Sequence, residues 1–139
     1  MIEETSAGIV LFRKEESKKL FLLLHYPSGH WDFVKGKMEK GESTHQTAIR
    51  ETKEETGITD ITFVENFEEW IEYNFKHQGE LVQKKVVFFL AETKTKEIEI
   101  SHEHSGYTWM DYNSAMEKTT FDNAKTVLTK AQKLLSNTL

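Results

Sequence analysis

The chain has 139 residues, 37% apolar and 29% charged, which fits one soluble domain burying about two-thirds of its unfolded surface. It has no run near the roughly 18 apolar residues of a membrane span, and its net charge of −5 argues against general nucleic-acid binding. The absence of cysteine excludes disulfides and thiolate metal sites, and the acidic start MIEETSAG is unlike a basic targeting peptide, so a cytoplasmic location is expected.

Residues 6–13, SAGIVLFR, form a β-rich run that ends at the charged turn KEESKK. The near-continuous apolar run LFLLLHY, residues 20–26, reads as a strand covered on both faces, and the two runs are expected to pair as a hairpin. A PSGH loop leads through residues 31–34 into the glycine-bearing stretch from Gly36 to Gly41. Ser43 is a good N-cap, with Gln46 three residues on to complete a capping box. The helix it opens is expected to run to about Thr56 and to stop at Gly57 in a left-handed cap, packing through Ala48, Ile49 and Thr52. Residues 61–75 and 81–93 read as two long strands around the turn KHQGE, with the continuous VVFFLA run central. Residues 107–110, YTWM, read as a further strand, and NSAMEK as a helical turn. Phe121, Ala124, Val127, Leu128, Ala131, Leu134 and Leu135 recur at helical spacing and predict an amphipathic C-terminal helix whose apolar face packs on the core. Strands around one early helix, closed by a helix at the end, predict a single α/β domain over residues 1–139 with a mixed sheet between helices.

The early helix ends in three crowded glutamates, Glu51, Glu54 and Glu55. Positions i, i+3 and i+4 share a helix face, where like charges repel by a few tenths of a kcal/mol per pair. A bound divalent cation would offset that repulsion. Glu51 and Glu55, one turn apart, can approach a single Mg²⁺, which prefers hard oxygen ligands and keeps several waters. Glu54 stands beside them as a third ligand or as the base that deprotonates an attacking water. Arg50, a planar fork that cannot titrate, is expected to hold Glu42 or Glu51 in position. Gly36 and Gly41 are expected to let the loop backbone turn tightly beside the metal.

The stretch from Gly36 to Ile58 resembles the Nudix box, G-x5-E-x7-R-E-U-x-E-E-x-G-U, where U is aliphatic. Gly36, Glu42, Arg50, Glu51, Glu54, Glu55 and Gly57 match every position that demands one residue type, a coincidence of roughly one in a million by average residue usage. Thr52 departs from the aliphatic position; being β-branched and close to Val in size, it should still pack, with its hydroxyl bonded back along the helix. The resemblance implies the Nudix fold, an α/β/α sandwich with a mixed sheet and a C-terminal helix. It also implies metal-dependent hydrolysis of a nucleoside diphosphate linked to another group, through attack of activated water on a phosphorus.

Outside the box the chain is similar to the asymmetric diadenosine tetraphosphate hydrolases, which release ATP and AMP. The similarity rests on SAGIVLFR, LFLLLHY, HWDFVKGKMEKGE, RETKEETGI, SHEH and YTW, and Thr52 agrees with that branch. It implies that His30, Lys35 and Lys84 contact the polyphosphate, with the neighbouring Lys85 left as an edge charge. By the same resemblance Tyr73 and Tyr107 sandwich an adenine, and Glu103 joins the metal site or assists the water. His102 and His104 flank Glu103, but phosphate chemistry with Mg²⁺ (Mn²⁺ as the alternative) favours oxygen ligands. The implied partner is a small nucleotide, bound by a monomer. Rival readings are action on a diphosphoinositol polyphosphate, a nucleoside triphosphate or a capped RNA, or a non-catalytic nucleotide-binding Nudix domain. The last usually lacks box glutamates that are all present here.

Overall fold

The computed structural model describes residues 1–137. Its central element is β1 (Ile2–Glu15), whose middle alternates sides: Ala7, Ile9 and Leu11 pack into one apolar cluster, Val10 and Phe12 into another. A strand buried on both faces needs a helical layer over each, and the chain supplies both. The early helix α1 (Thr44–Thr56) places Ala48 in the first cluster together with Ile58. Two later helices, α2 (Tyr112–Lys118) and α3 (Asp122–Asn137), bring Ala115, Ala124, Val127, Leu128, Ala131 and Leu135 to the second. Truncating a fully buried side chain such as Leu128 to alanine would cost about 2–5 kcal/mol.

The sheet is mixed, as expected. β2 (Lys18–His25) turns back antiparallel on the far end of β1, with Phe12 opposite Phe21. β3 (Trp31–Asp32) and β4 (Val34–Lys37) follow, and β4 pairs with the near end of β1, Gly36 opposite Ala7. Beyond α1 come β5 (Thr62–Phe63), β6 (Glu69–His77) and β7 (Glu80–Glu92). β7 lies parallel to β1 from Ile2 opposite Val82 to Phe12 opposite Glu92, and its VVFFLA run is buried, as expected of a central strand. β6 and β7 form a hairpin whose turn residues, Gln78 (φ 51) and Gly79 (φ 80), suit the right-handed strand twist. The last strand, β8 (Gly106–Met110), pairs with β2.

Four expectations need correction. β1 begins at Ile2 rather than near residue 6, because its first residues find partners on β7. The single strand expected over 61–75 is two strands, broken where Asn66 adopts φ 68, a conformation that asparagine tolerates better than most residues. Ile49 is 44% exposed; Ala48 and Thr52 carry the buried side of α1. Phe121 precedes α3 and is 45% exposed, so it is not part of the helix's core face.

Candidate active site

The local signals around α1 act as expected. The Ser43 side chain accepts the Gln46 backbone N–H, the Gln46 side chain accepts that of Ser43, and Gly57 closes the helix at φ 77. The buried Thr52 hydroxyl donates to the Ala48 carbonyl at 2.8 Å. With the helix fixed at both ends, ligand oxygens of Glu51, Glu54 and Glu55 lie within 4.8 Å of one another. Hard carboxylates converging this closely suit a divalent cation better than they suit each other.

The three are held differently. Glu51 is mostly buried beside the backbone of β4, and Gly36 is what admits it. A Cβ at Gly36 would lie 1.9 Å from the Glu51 carboxyl carbon. Gly36 is therefore a strand residue required for close approach and not, as expected, a turn residue; Gly41 does turn, at φ 85. Burial pushes the Glu51 carboxyl above its ordinary range; Arg50 pulls the other way, and the Glu54 and Glu55 charges push it further up. Glu54 is exposed and reaches Arg50 at 3.3 Å.

Glu55 is almost sealed, with two donors on one oxygen: the Ser101 hydroxyl at 2.7 Å and His104 Nδ1 at 2.6 Å. A carboxylate can only accept, so that histidine nitrogen carries the hydrogen. Both donors come from the segment between β7 and β8. Its Glu99 and Ser101 N–H groups bond the Thr56 and Glu55 carbonyls at 3.2 Å, satisfying acceptors that the end of a helix leaves free. Neither Ser101 nor His104 was singled out by sequence as a partner of Glu55. SHEH drew attention to Glu103, and only the folded chain brings the outer residues of that stretch to α1.

Arg50 is the hub of the loop. It binds Glu42 through two nitrogens at 2.7 and 3.0 Å, Glu51 at 2.9 Å and the Lys37 carbonyl at 3.0 Å, so both expected carboxylates are held at once. Glu42 also accepts from the Glu39 N–H and the Thr47 hydroxyl. Hydrogen bonds from Arg50 and from the Glu39 backbone bring its carboxyl down to about 2.

The remaining predicted residues do not all come together. Lys35, Lys84 and Tyr73 come together: Lys84 lies directly across from Tyr73, and the Lys35 ammonium is 6.0 Å from the Tyr73 ring. Lys35 also binds the buried Asp32 at 3.0 Å, a carboxylate for which sequence gave no signal. Burial pulls the Lys84 ammonium below its ordinary range, opposed by Glu4; Lys85 is exposed. His30 is stacked on Tyr26 at 4.6 Å and bonded to Ser28 at 2.5 Å, and its burial disfavours the charged ring. Phe121 lies 5.1 Å from the His30 ring. Glu103 is exposed two residues beyond Ser101, outside the three-carboxylate group. Tyr107 on β8 is half-buried over the cluster that α1 covers. Tyr107 stands on β8, which pairs with β2, and Tyr73 on β6, which pairs with β7.

The NUDIX domain family matches residues 3–131. An asymmetrical bis(5′-nucleosyl)-tetraphosphatase of Sus scrofa is 34% identical over 142 residues, covering 94% of each chain. That of Caenorhabditis elegans is 35% identical over 136 residues, covering 94% of this chain and 96% of its own. The solved C. elegans Ap4A hydrolase binary complex has a TM-score of 0.86 at 34% identity, covering 96% of this chain and 98% of that one. No helix among the described residues is long and apolar enough to cross a membrane. Box, carboxylate cluster and near-complete coverage agree: this chain belongs to the NUDIX hydrolase family.

Proposed function

We propose that this protein hydrolyses dinucleoside polyphosphates, diadenosine tetraphosphate foremost, to ATP and AMP in the presence of Mg²⁺. The observation that carries the reading is the junction of two unlike surfaces. The carboxylates of α1 adjoin β4, and β4 leads through Lys35 to Lys84 and the exposed ring of Tyr73. The relatives' activity points the same way, as does their similarity along nearly the full chain.

Glu51 and Glu55, with Glu54 beside them, would hold the cation; their all-oxygen donor set fits Mg²⁺, with Mn²⁺ the alternative. Such an ion acidifies a water and neutralises charge on phosphate oxygens. In the step itself, the water oxygen bonds to a phosphorus while the bridging oxygen leaves with the electron pair. A carboxylate takes the proton. Glu54 suits that task because it is the least tightly held of the three, and the exposed Glu103 is the second candidate. Arg50 would act through Glu42, Glu51 and the loop backbone, and Gly57 through the helix end, so both serve positioning.

Lys35 and Lys84 would take phosphate oxygens, as would His30, which is stacked on Tyr26. Base stacking on an aromatic ring contributes roughly 1–3 kcal/mol. Tyr73 is open to such a base and Tyr107 is half-buried; Phe121, exposed beside His30, is a further open ring.

The test is product analysis of purified protein with Mg²⁺ in heavy-oxygen water, across a panel. The panel includes diadenosine tetra-, penta- and hexaphosphate, a nucleoside triphosphate, a capped RNA and a diphosphoinositol polyphosphate. Equal ATP and AMP from the tetraphosphate, at a higher kcat/KM than any other substrate class, is the expected result. Two ADP, or no turnover, overturns the proposal.

A further inference from the structure

Glu4 has no place in the hydrolytic chemistry, yet it sits in the middle of the basic strip. It lies on β1 directly across from Lys84, two residues before Ser6, which pairs with Lys37. One carboxylate oxygen meets the Lys37 ammonium at 3.3 Å and the other meets that of Lys84 at 3.3 Å. A carboxylate spread between two ammonium groups copies what a phosphate does with two of its oxygens. Both contacts are long for charge-assisted bonds, which run at about 2.7–2.9 Å. Lys35 is already balanced by Asp32, so Lys37 and Lys84 share one negative charge and the group carries a net positive charge. Lys37 directly follows Gly36, the residue that admits Glu51, so this strip begins beside the carboxylate cluster.

We propose that Lys37 and Lys84 form a phosphate subsite whose resident carboxylate, Glu4, gives way to the substrate and sets how tightly a polyphosphate chain is held. This rests on the dinucleoside polyphosphate reading above. An arriving phosphate carries more charge than a carboxylate and can span both lysines. Lys37 is largely exposed and free to follow it, while the mostly buried Lys84 stays in place. Glu4 lowers affinity in two ways: it occupies the donors, and its charge repels every phosphate that passes.

The substitution Glu4→Gln separates the two outcomes cleanly, because glutamine keeps the size and an accepting oxygen for the lysines but loses the charge. The expected result is a KM for diadenosine tetraphosphate lower by about three- to tenfold, with the gain shrinking as salt rises. The gain disappears in a Glu4→Gln/Lys37→Met double variant. An unchanged or higher KM in folded Glu4→Gln protein overturns the proposal, since it would mean that Glu4 orients the lysines and does not compete for them. Calorimetric titration of metal-free protein with inorganic tripolyphosphate provides a readout independent of turnover. Tighter binding by Glu4→Gln supports the subsite even if no dinucleotide is hydrolysed, in which case the proposed substrate falls alone. Equal binding by the two proteins overturns the subsite whatever the enzyme cleaves.

Discussion

Replacing Gly36 with alanine tests whether the placement of Glu51 is the centre of the site. The added Cβ would stand 1.9 Å from the Glu51 Cδ, 2.2 Å from its Oε2 and 2.3 Å from its Cγ. Carbon atoms in contact sit about 3.5–4.0 Å apart, so the overlap is well over 1 Å. The atoms met belong to the outer part of a flexible side chain, and Gly36 does not use the left-handed region. The fold should therefore survive, with Glu51 displaced. Its bond to Arg50 at 2.9 Å is lost, and a charged hydrogen bond contributes roughly 1.5–3 kcal/mol. Fixing a less flexible residue than glycine in the strand returns about 0.4–1 kcal/mol. The net loss is about 1–2 kcal/mol, or a Tm lower by roughly 3–8 °C for a chain of this size. Metal binding should suffer far more. Losing an outer partner of a ligand typically weakens a site about 10–100-fold, and losing the ligand itself should reach at least the upper end of that range. Thermal melts monitored by circular dichroism would measure the first effect, and Mn²⁺ titration followed by electron paramagnetic resonance the second. A Gly36→Ala protein that binds Mn²⁺ as well as the wild type would refute the assignment of Glu51.

Other substitutions probe the supports. His104→Ala should weaken Mn²⁺ binding about 10–100-fold by freeing Glu55, and His104→Asn should recover part of it; equal binding by all three proteins would show that the contact is only structural. Glu42, with a folded value of about 2 against an ordinary 4.5, stabilises the fold fully above pH 4.5. Because the folded value is the lower one, that contribution is lost as pH falls from 4.5 towards 2. Glu42→Gln should accordingly flatten the acid side of a Tm-against-pH curve, and a curve of unaltered slope would contradict this. Thr52→Val removes the hydroxyl that donates to the Ala48 carbonyl. It should change stability by less than about 1.5 kcal/mol in urea denaturation and leave metal binding intact; a larger loss would mean that the hydroxyl is needed.

What could be read in the sequence was what neighbours along the chain decide. Ser43, Gln46 and Gly57 mark the ends of α1, and the spacing of Glu51, Glu54 and Glu55 puts them together before any tertiary contact is considered. Arg50 could be assigned to Glu42 and Glu51 because all three lie within one loop and helix. The residues that escaped are joined by folding alone. Ser101 and His104 reach Glu55 from a segment some 46 positions later, and Glu4 meets Lys84 across 80. Phe121 carried the period of the helix that follows it but lies one residue before that helix begins, so periodicity assigned it to the wrong environment. The break between β5 and β6 depends on one asparagine in a run that otherwise favours strand.

The parallel pairing of β1 with β7 also has a consequence for how the chain is made. The far end of β1 can close on β2 within a short hairpin, and its apolar middle on β4, as soon as those strands have been synthesised. Its other edge has to wait for residues 82–92, which emerge only after α1 and β6. Closing a loop of some 80 residues is entropically costly and kinetically slow compared with closing a hairpin. During synthesis, the AGIVLF stretch is therefore a strand with one unsatisfied edge, open to pairing with a neighbouring nascent chain. A polypeptide that stops short of β7 should aggregate through that edge, while a chain released just beyond β7 should not.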